Sequence, residues 1–189
     1  NRTAGDLHMG VVTNYAGHME VYNSNFTNNS GVYGGAIYSG ADPSSPVMTT
    51  TLIDNCRFVD NTAYNGGAIY SAGNGDLKVN NSYFENNVAS GVGSPGATAA
   101  GGAIIVINSV GSTEIANSEF KDNKAVSDTA LGGAITCQGA VEISGNKASE
   151  VAVGADEEKE AQSISFDSNT VASTTTACGG AIAADNSHL

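Results

Sequence analysis

Two short motifs alternate five times along this chain, and that alternation limits its possible folds more than any other feature. Gly-Gly-Ala-Ile begins at Gly34, Gly66, Gly101, Gly132 and Gly179. Phe-x-x-Asn runs from Phe26, Phe58, Phe84, Phe120 and Phe166 to Asn29, Asn61, Asn87, Asn123 and Asn169, with a degenerate further copy at Ile143/Asn146. Ahead of the first four Phe stand a β-branched residue (Val21, Ile53, Val79, Ile115) and an Asn (Asn23, Asn55, Asn81, Asn117). Met9 to Met19 reads as a worn first copy. Successive Gly-Gly-Ala-Ile motifs lie 32, 35, 31 and 47 residues apart. A helical-hairpin array would hold its period and show 3.6-residue spacing. Here the constant pieces are short, rich in Val, Ile and Phe, and bounded by Gly and Asn, which is a strand signature. Constant strands separated by variable stretches describe a solenoid.

The expected fold is all-β, a right-handed parallel β-helix of about six rungs. Equivalent residues of successive rungs stack about 4.8 Å apart. Ile37, Ile69, Ile104, Ile135 and Ile182 then form one inward ladder, and Phe26, Phe58, Phe84, Phe120 and Phe166 a second. The Asn ladder Asn29, Asn61, Asn87, Asn123 and Asn169 is placed at bends, its amides bonding the backbone and one another, in left-handed conformations that Asn tolerates. Gly-Gly suits a tight corner. Right-handed winding follows from the general crossover rule. The whole chain, 1–189, is expected to be one β-helical segment of a larger surface protein, with repeats over about 9–182. It opens on Asn1 without an initiator Met, in keeping with such a segment.

Composition removes the rivals. Lys+Arg is 7 against Asp+Glu at 19, a net charge of -12, so the basic stripe that nucleic acid requires is missing. No apolar run approaches the roughly 20 residues of a membrane span. Three Cys, without metal-ligand spacing, support neither zinc nor a disulfide framework. Aligning Gly132 on Gly179 puts Cys178 beside Leu131, far along the strand from Cys137, so three free, mostly buried thiols are expected.

Phe58-Val-Asp-Asn-Thr-Ala followed by Gly66-Gly-Ala-Ile-Tyr resembles the repeat of chlamydial polymorphic outer-membrane proteins. Asn23-Ser-Asn-Phe-Thr-Asn-Asn-Ser and Leu77-Lys-Val-Asn-Asn-Ser-Tyr-Phe-Glu-Asn-Asn are similar to adhesin-like surface proteins of gut microbes and methanogens. The resemblance implies a right-handed β-helix displayed on a cell surface and used in adhesion.

The ladder residues recur in every rung, whereas a catalytic site would occur once, so their role is structural. No catalytic residue, metal ligand or cofactor site is assigned. A carbohydrate-active enzyme of β-helix type is the rival, but it needs paired acids or a base in a cleft. Arg57, with Asp54 and Asp60 nearby, reads as a surface ion pair. His8, His18 and His188 sit near the two ends. The sequons at Asn1, Asn25, Asn28 and Asn80 are as frequent as the composition alone would give. Recognition is sought in the insertions Ser39–Thr50, Val88–Ala100, Lys124–Leu131, Lys147–Ser163 and Thr170–Cys178, read as loops on a rigid scaffold. One of them carries a candidate ligand-facing acidic loop of Asp156, Glu157, Glu158 and Glu160. The expected role is a secreted or cell-surface, non-enzymatic adhesin or display module. Its partner would be a glycan or protein of a host or neighbouring cell. A spacer or filament subunit associating end to end is the alternative.

Overall fold

The computed structural model describes residues 9–41, 47–138, 141–144 and 164–185. Every regular element in them is a β-strand, and every strand pairing is parallel. The acidic residues Asp156, Glu157, Glu158 and Glu160, and also His8 and His188, lie outside the described residues.

Each Gly-Gly-Ala-Ile motif feeds one strand of an isoleucine sheet. Its members are Val12–Tyr15, Ile37–Gly40, the first part of Ile69–Asn80, Ile104–Val110, Ile135–Gln138 and Ile182–Asp185. The register aligns Val12, Ile37, Ile69, Ile104, Ile135 and Ile182, so the worn first copy supplies a sixth strand. A second row aligns His18–Tyr22, Thr49–Asp54, the second part of Ile69–Asn80, Thr113–Ala116 and Val141–Ser144. The long strand Ile69–Asn80 joins the two rows.

A single left-handed residue ends each of the first four strands of the second row: Asn23, Asn55, Asn81 and Asn117, with φ of 49–52°. Asn adopts this conformation at little cost. The chain then enters a phenylalanine sheet of Asn25–Thr27, Arg57–Val59, Tyr83–Glu85, Glu119–Lys121 and Ser165–Asp167. Phe26, Phe58, Phe84, Phe120 and Phe166 are in register, with ring centroids 4.7–5.0 Å apart and interplanar angles of 3–12°. Inward-facing Ile, Leu, Val and Phe from these sheets merge into one buried core.

The insertions differ from the loops the sequence suggested. Val88–Ser90, Thr98–Ala100, Lys124–Leu131 and Thr170–Cys178 are strands, and with Thr62–Ala63 they make a further parallel sheet. Its inner face is a small alanine core of Ala89, Ala99, Ala125 and Ala130. Alternating Ala with Ser and Thr reads as loop because it carries little hydrophobic signal. Stacked on identical neighbours, Ala is large enough to fill a thin interior. Leu131 pairs with Cys178, as the glycine alignment required.

Candidate functional site

Three side-chain ladders hold the repeats in register. In the Asn ladder, Asn87 Nδ2 donates to Asn123 Oδ1 at 2.9 Å and to the Phe58 carbonyl at 3.0 Å. Asn87 Oδ1 accepts from the backbone N–H of Asn61 at 3.1 Å and from Asn61 Nδ2 at 2.9 Å. Asn61 and Asn123 make the same set, Asn29 and Asn169 make part of it at the two ends, and Asn61, Asn87 and Asn123 are fully buried. The left-handed residue at this bend is the one before: Asn28, Asp60, Asn86, Asp122 and Ser168. The ladder Asn supplies hydrogen bonds instead, correcting the expectation that one residue does both.

The second ladder escaped the sequence reading. Each left-handed Asn ahead of the phenylalanine sheet (Asn23, Asn55, Asn81 and Asn117) is followed by Ser or Cys: Ser24, Cys56, Ser82 and Ser118. Ser82 Oγ accepts from the Cys56 N–H at 3.1 Å and donates to the Asn80 carbonyl at 2.7 Å, and Ser118 repeats this toward Ser82. Cys56 takes a serine's place, its Sγ 3.3 Å from the Asp54 carbonyl. The recurring Asn-Ser dipeptide was the available signal. The third ladder is the phenylalanine stack.

Cys56 and Cys137 are buried, Cys178 is exposed, and all three are free. Burial pushes the Cys137 thiol up to about 12 and raises that of Cys56. A thiol whose pKa is raised by folding supports the native state fully below the ordinary thiol range, about 8.5, and loses that support as pH climbs through the folded value. Stability should therefore decline from roughly pH 8.5 toward pH 12, and Cys137→Ala should flatten that decline. In native buffer a chromogenic disulfide reagent should titrate Cys178 alone, and in denaturant all three thiols. Fast reaction of three thiols in native buffer would contradict the burial.

Arg57 is not part of an acid–base pair in a cleft. Its guanidinium lies 3.0 Å from Glu85 and 4.4 Å from the centroid of the Tyr83 ring, with Lys121 3.9 Å from Glu85 on the other side. Its partner is Glu85 of the next repeat, not Asp54 or Asp60, because the strand register sets Arg57 beside Tyr83. Asp54 accepts from Asn81 Nδ2 at 2.7 Å. His18 pairs with Glu20 at 2.9 Å. Among the described residues no cluster of three His, Cys, Asp or Glu is placed to hold a metal ion. Among them, too, no helix is long and apolar enough to cross a membrane.

Two other surface features bear on binding. The first is a cleft of about 510 Å3 where residues 91–97 leave the alanine sheet and return. Val92, Pro95, Val126, Asp128, Ala172 and Ser173 line it. Asp128 anchors the excursion by accepting from the Gly96 N–H at 2.7 Å, and Ser127 donates to the Ala97 carbonyl at 2.8 Å.

The second is the outer face of the isoleucine sheet. Its outward residues over five strands are Thr13 and Tyr15, Tyr38 and Gly40, Tyr70 and Ala72, Ile105 and Ile107, and Thr136 and Gln138. None is charged. The outer faces of the neighbouring sheets carry Glu20, Lys78, Glu114, Arg57, Glu85 and Lys121. The Tyr38 and Tyr70 rings stack with centroids 5.6 Å apart, and the Tyr33 ring stands 4.9 Å from that of Tyr70 at 58°. Tyr15 is 58% exposed. Burial raises the Tyr38 and Tyr70 phenols, with neighbouring tyrosines adding to it, so both hydroxyls stay protonated at neutral pH. Recognition was expected in the insertions, not in this group, although the Ile-Tyr pairs at residues 37–38 and 69–70 carry its signal.

No curated protein and no solved structure matches this chain. Residues 55–72 hold one left-handed Asn, one Ser-ladder position, one Phe-x-x-Asn and one Gly-Gly-Ala-Ile strand. That stretch matches the family model of the Chlamydia polymorphic membrane protein repeat.

Proposed function

We propose that the chain is a right-handed parallel β-helix of a cell-surface protein, acting as a non-enzymatic adhesin or display module. The observation that carries this reading is where the recurring residues go. Phe, Asn, Ile, Ser and Gly of the inner repeats are buried in ladders between repeats and are partly exposed only at the ends, and what varies from repeat to repeat is the surface. Such a rod presents faces and performs no chemistry with its repeats. Parallel pairing of equivalent strands across six repeats supports the solenoid, and the crossover rule supports its hand. The family match supports a surface setting. Net charge of -12 keeps a repetitive rod soluble.

The purified chain, applied to host cells, matrix proteins and a glycan panel, should bind saturably and leave every glycan at its original length. Shortened glycan products would favour the enzymatic alternative. Growth of light scattering with concentration, without any such binding, would favour the spacer or filament.

A further inference from the structure

We propose that the uncharged face around Tyr15, Tyr33, Tyr38 and Tyr70 is a binding site for a neutral glycan. The proposal rests on the reading of the chain as a binding module and names what this face would take.

Charge is the first argument. Five consecutive strands, residues 12–15, 37–40, 69–72, 104–107 and 135–138, contain no Asp, Glu, Lys or Arg on either face, in a chain of net charge -12. The field of the whole chain repels anionic ligands, and the face offers no cation to offset that repulsion. It also offers no carboxylate to pair with a basic partner. A neutral ligand meets neither obstacle. Two copies of a chain this acidic repel each other on approach, so a second copy is the poorer occupant.

The second argument is the chemistry of the side chains. Tyr provides a ring for apolar C–H faces and a hydroxyl for polar edges, and a pyranose presents both kinds of surface. No hydrogen bond among the described residues engages the hydroxyls of Tyr38 or Tyr70. Both side chains are half-buried and packed, so little rotamer freedom is lost when a ligand docks. The ground beneath them is cut low. Tyr15, Gly40, Ala72 and Ile107 are adjacent in register, and a Cβ at Gly40 would stand 2.8 Å from the Tyr38 hydroxyl. The small residues at positions 40 and 72 thus let the phenol lie against the sheet, with the exposed Tyr15 at its edge.

The third argument is shape. The outward side chains recur at the strand spacing of about 4.8 Å along the stack; Ile105 and Thr136 are buried, so the accessible part is formed by Tyr15, Tyr38, Tyr70, Ile107 and Gln138. An extended oligosaccharide is a linear ligand with a comparable repeat and can lie across several strands.

The chain has no Trp and seven Tyr, so ultraviolet emission comes from tyrosine alone and four of its sources lie at this site. The full chain should be titrated with neutral β-linked hexose and N-acetylhexosamine oligosaccharides, following tyrosine emission, and with their sialylated and sulfated counterparts. The expected result is a saturable change for at least one neutral oligosaccharide, insensitive to salt, with anionic counterparts several-fold weaker. Tyr15→Ala, at an exposed position, should weaken binding about tenfold while leaving thermal unfolding unchanged. Tyr38→Phe, which removes only a hydroxyl, should weaken it by a smaller factor. The proposal fails if no neutral glycan gives a saturable change, or if Tyr15→Ala binds as the parent chain does. It also fails if the parent chain self-associates and Tyr15→Ala abolishes that, because the face is then an interface between copies. If the chain binds cells or matrix proteins but no neutral glycan, the glycan site falls and the reading as a binding module stands.

Discussion

Asn87→Ala should destabilise the chain by about 3–6 kcal/mol, a large part of the 5–15 kcal/mol available to a domain. Asn87 is fully buried and makes four side-chain hydrogen bonds. Truncation leaves the Asn61 N–H and Nδ2 without their acceptor and the Phe58 carbonyl without that donor, inside a stack that water does not reach. Each buried group so orphaned costs about 1–3 kcal/mol. The comparison with Asn29→Ala makes the prediction specific. Asn29 stands at the end of the described ladder, is only half-buried, and donates to Asn61 without accepting from another ladder Asn. Its loss should cost about 1 kcal/mol. Urea denaturation of both variants checks the ratio. Equal small effects would mean that the ladder is surface decoration.

Gly102→Ala should be of similar severity, at about 3 kcal/mol or more, for a different reason. A Cβ there would sit 1.9 Å from the Gly133 carbonyl oxygen and 2.5 Å from the Lys124 nitrogen. Both are backbone atoms held by stacking, so neither can swing aside. Gly67, the second glycine of its own motif, has the same environment, with a Cβ 2.0 Å from the Gly102 carbonyl oxygen. These glycines let one rung sit on the next. Gly93→Ala is the control: Gly93 has φ of +90° but nothing within 4 Å of its Cβ position. It should lose only about 1 kcal/mol through backbone strain. Thermal unfolding of the two variants separates steric stacking from a general aversion to alanine at glycine positions.

How much of this could be read in advance depends on whether a residue's role repeats. The Phe, Ile and Asn ladders were legible because each recurs once per rung, and a periodic fold turns sequence period into spatial contact. Six strands in the isoleucine sheet follow from the same logic. Features that depend on the exact register were not legible. Arg57 was matched to Asp54 and Asp60, its neighbours along the chain, while its partner Glu85 is a neighbour across the sheet. The alanine sheet was read as loops because single Ala residues carry almost no periodic hydrophobic signal, and only the stacking of Ala89, Ala99, Ala125 and Ala130 makes a core of them. The Ser/Cys ladder was missed for a third reason: Asn-Ser reads equally well as ordinary turn chemistry. The tyrosine pair itself was legible, since the 32-residue offset that sets Ile37 on Ile69 also sets Tyr38 beside Tyr70; what the sequence does not give is the packing of Tyr33 against Tyr70 and the low ground at Gly40.

The stacking of rungs underlies every functional statement made for this chain, and a distance measured along the stack tests it most directly. Thr27, Val59, Glu85, Lys121 and Asp167 follow one another in register on the outside of the phenylalanine sheet. With Cys178 replaced by Ser and the buried Cys56 and Cys137 retained, spin labels at introduced cysteines Thr27→Cys and Asp167→Cys are four rungs apart. Pulsed electron spin resonance should give one narrow distance of about 20 Å before allowance for the label arms. A broad distribution, or a distance unrelated to four strand spacings, would contradict the stacked repeat.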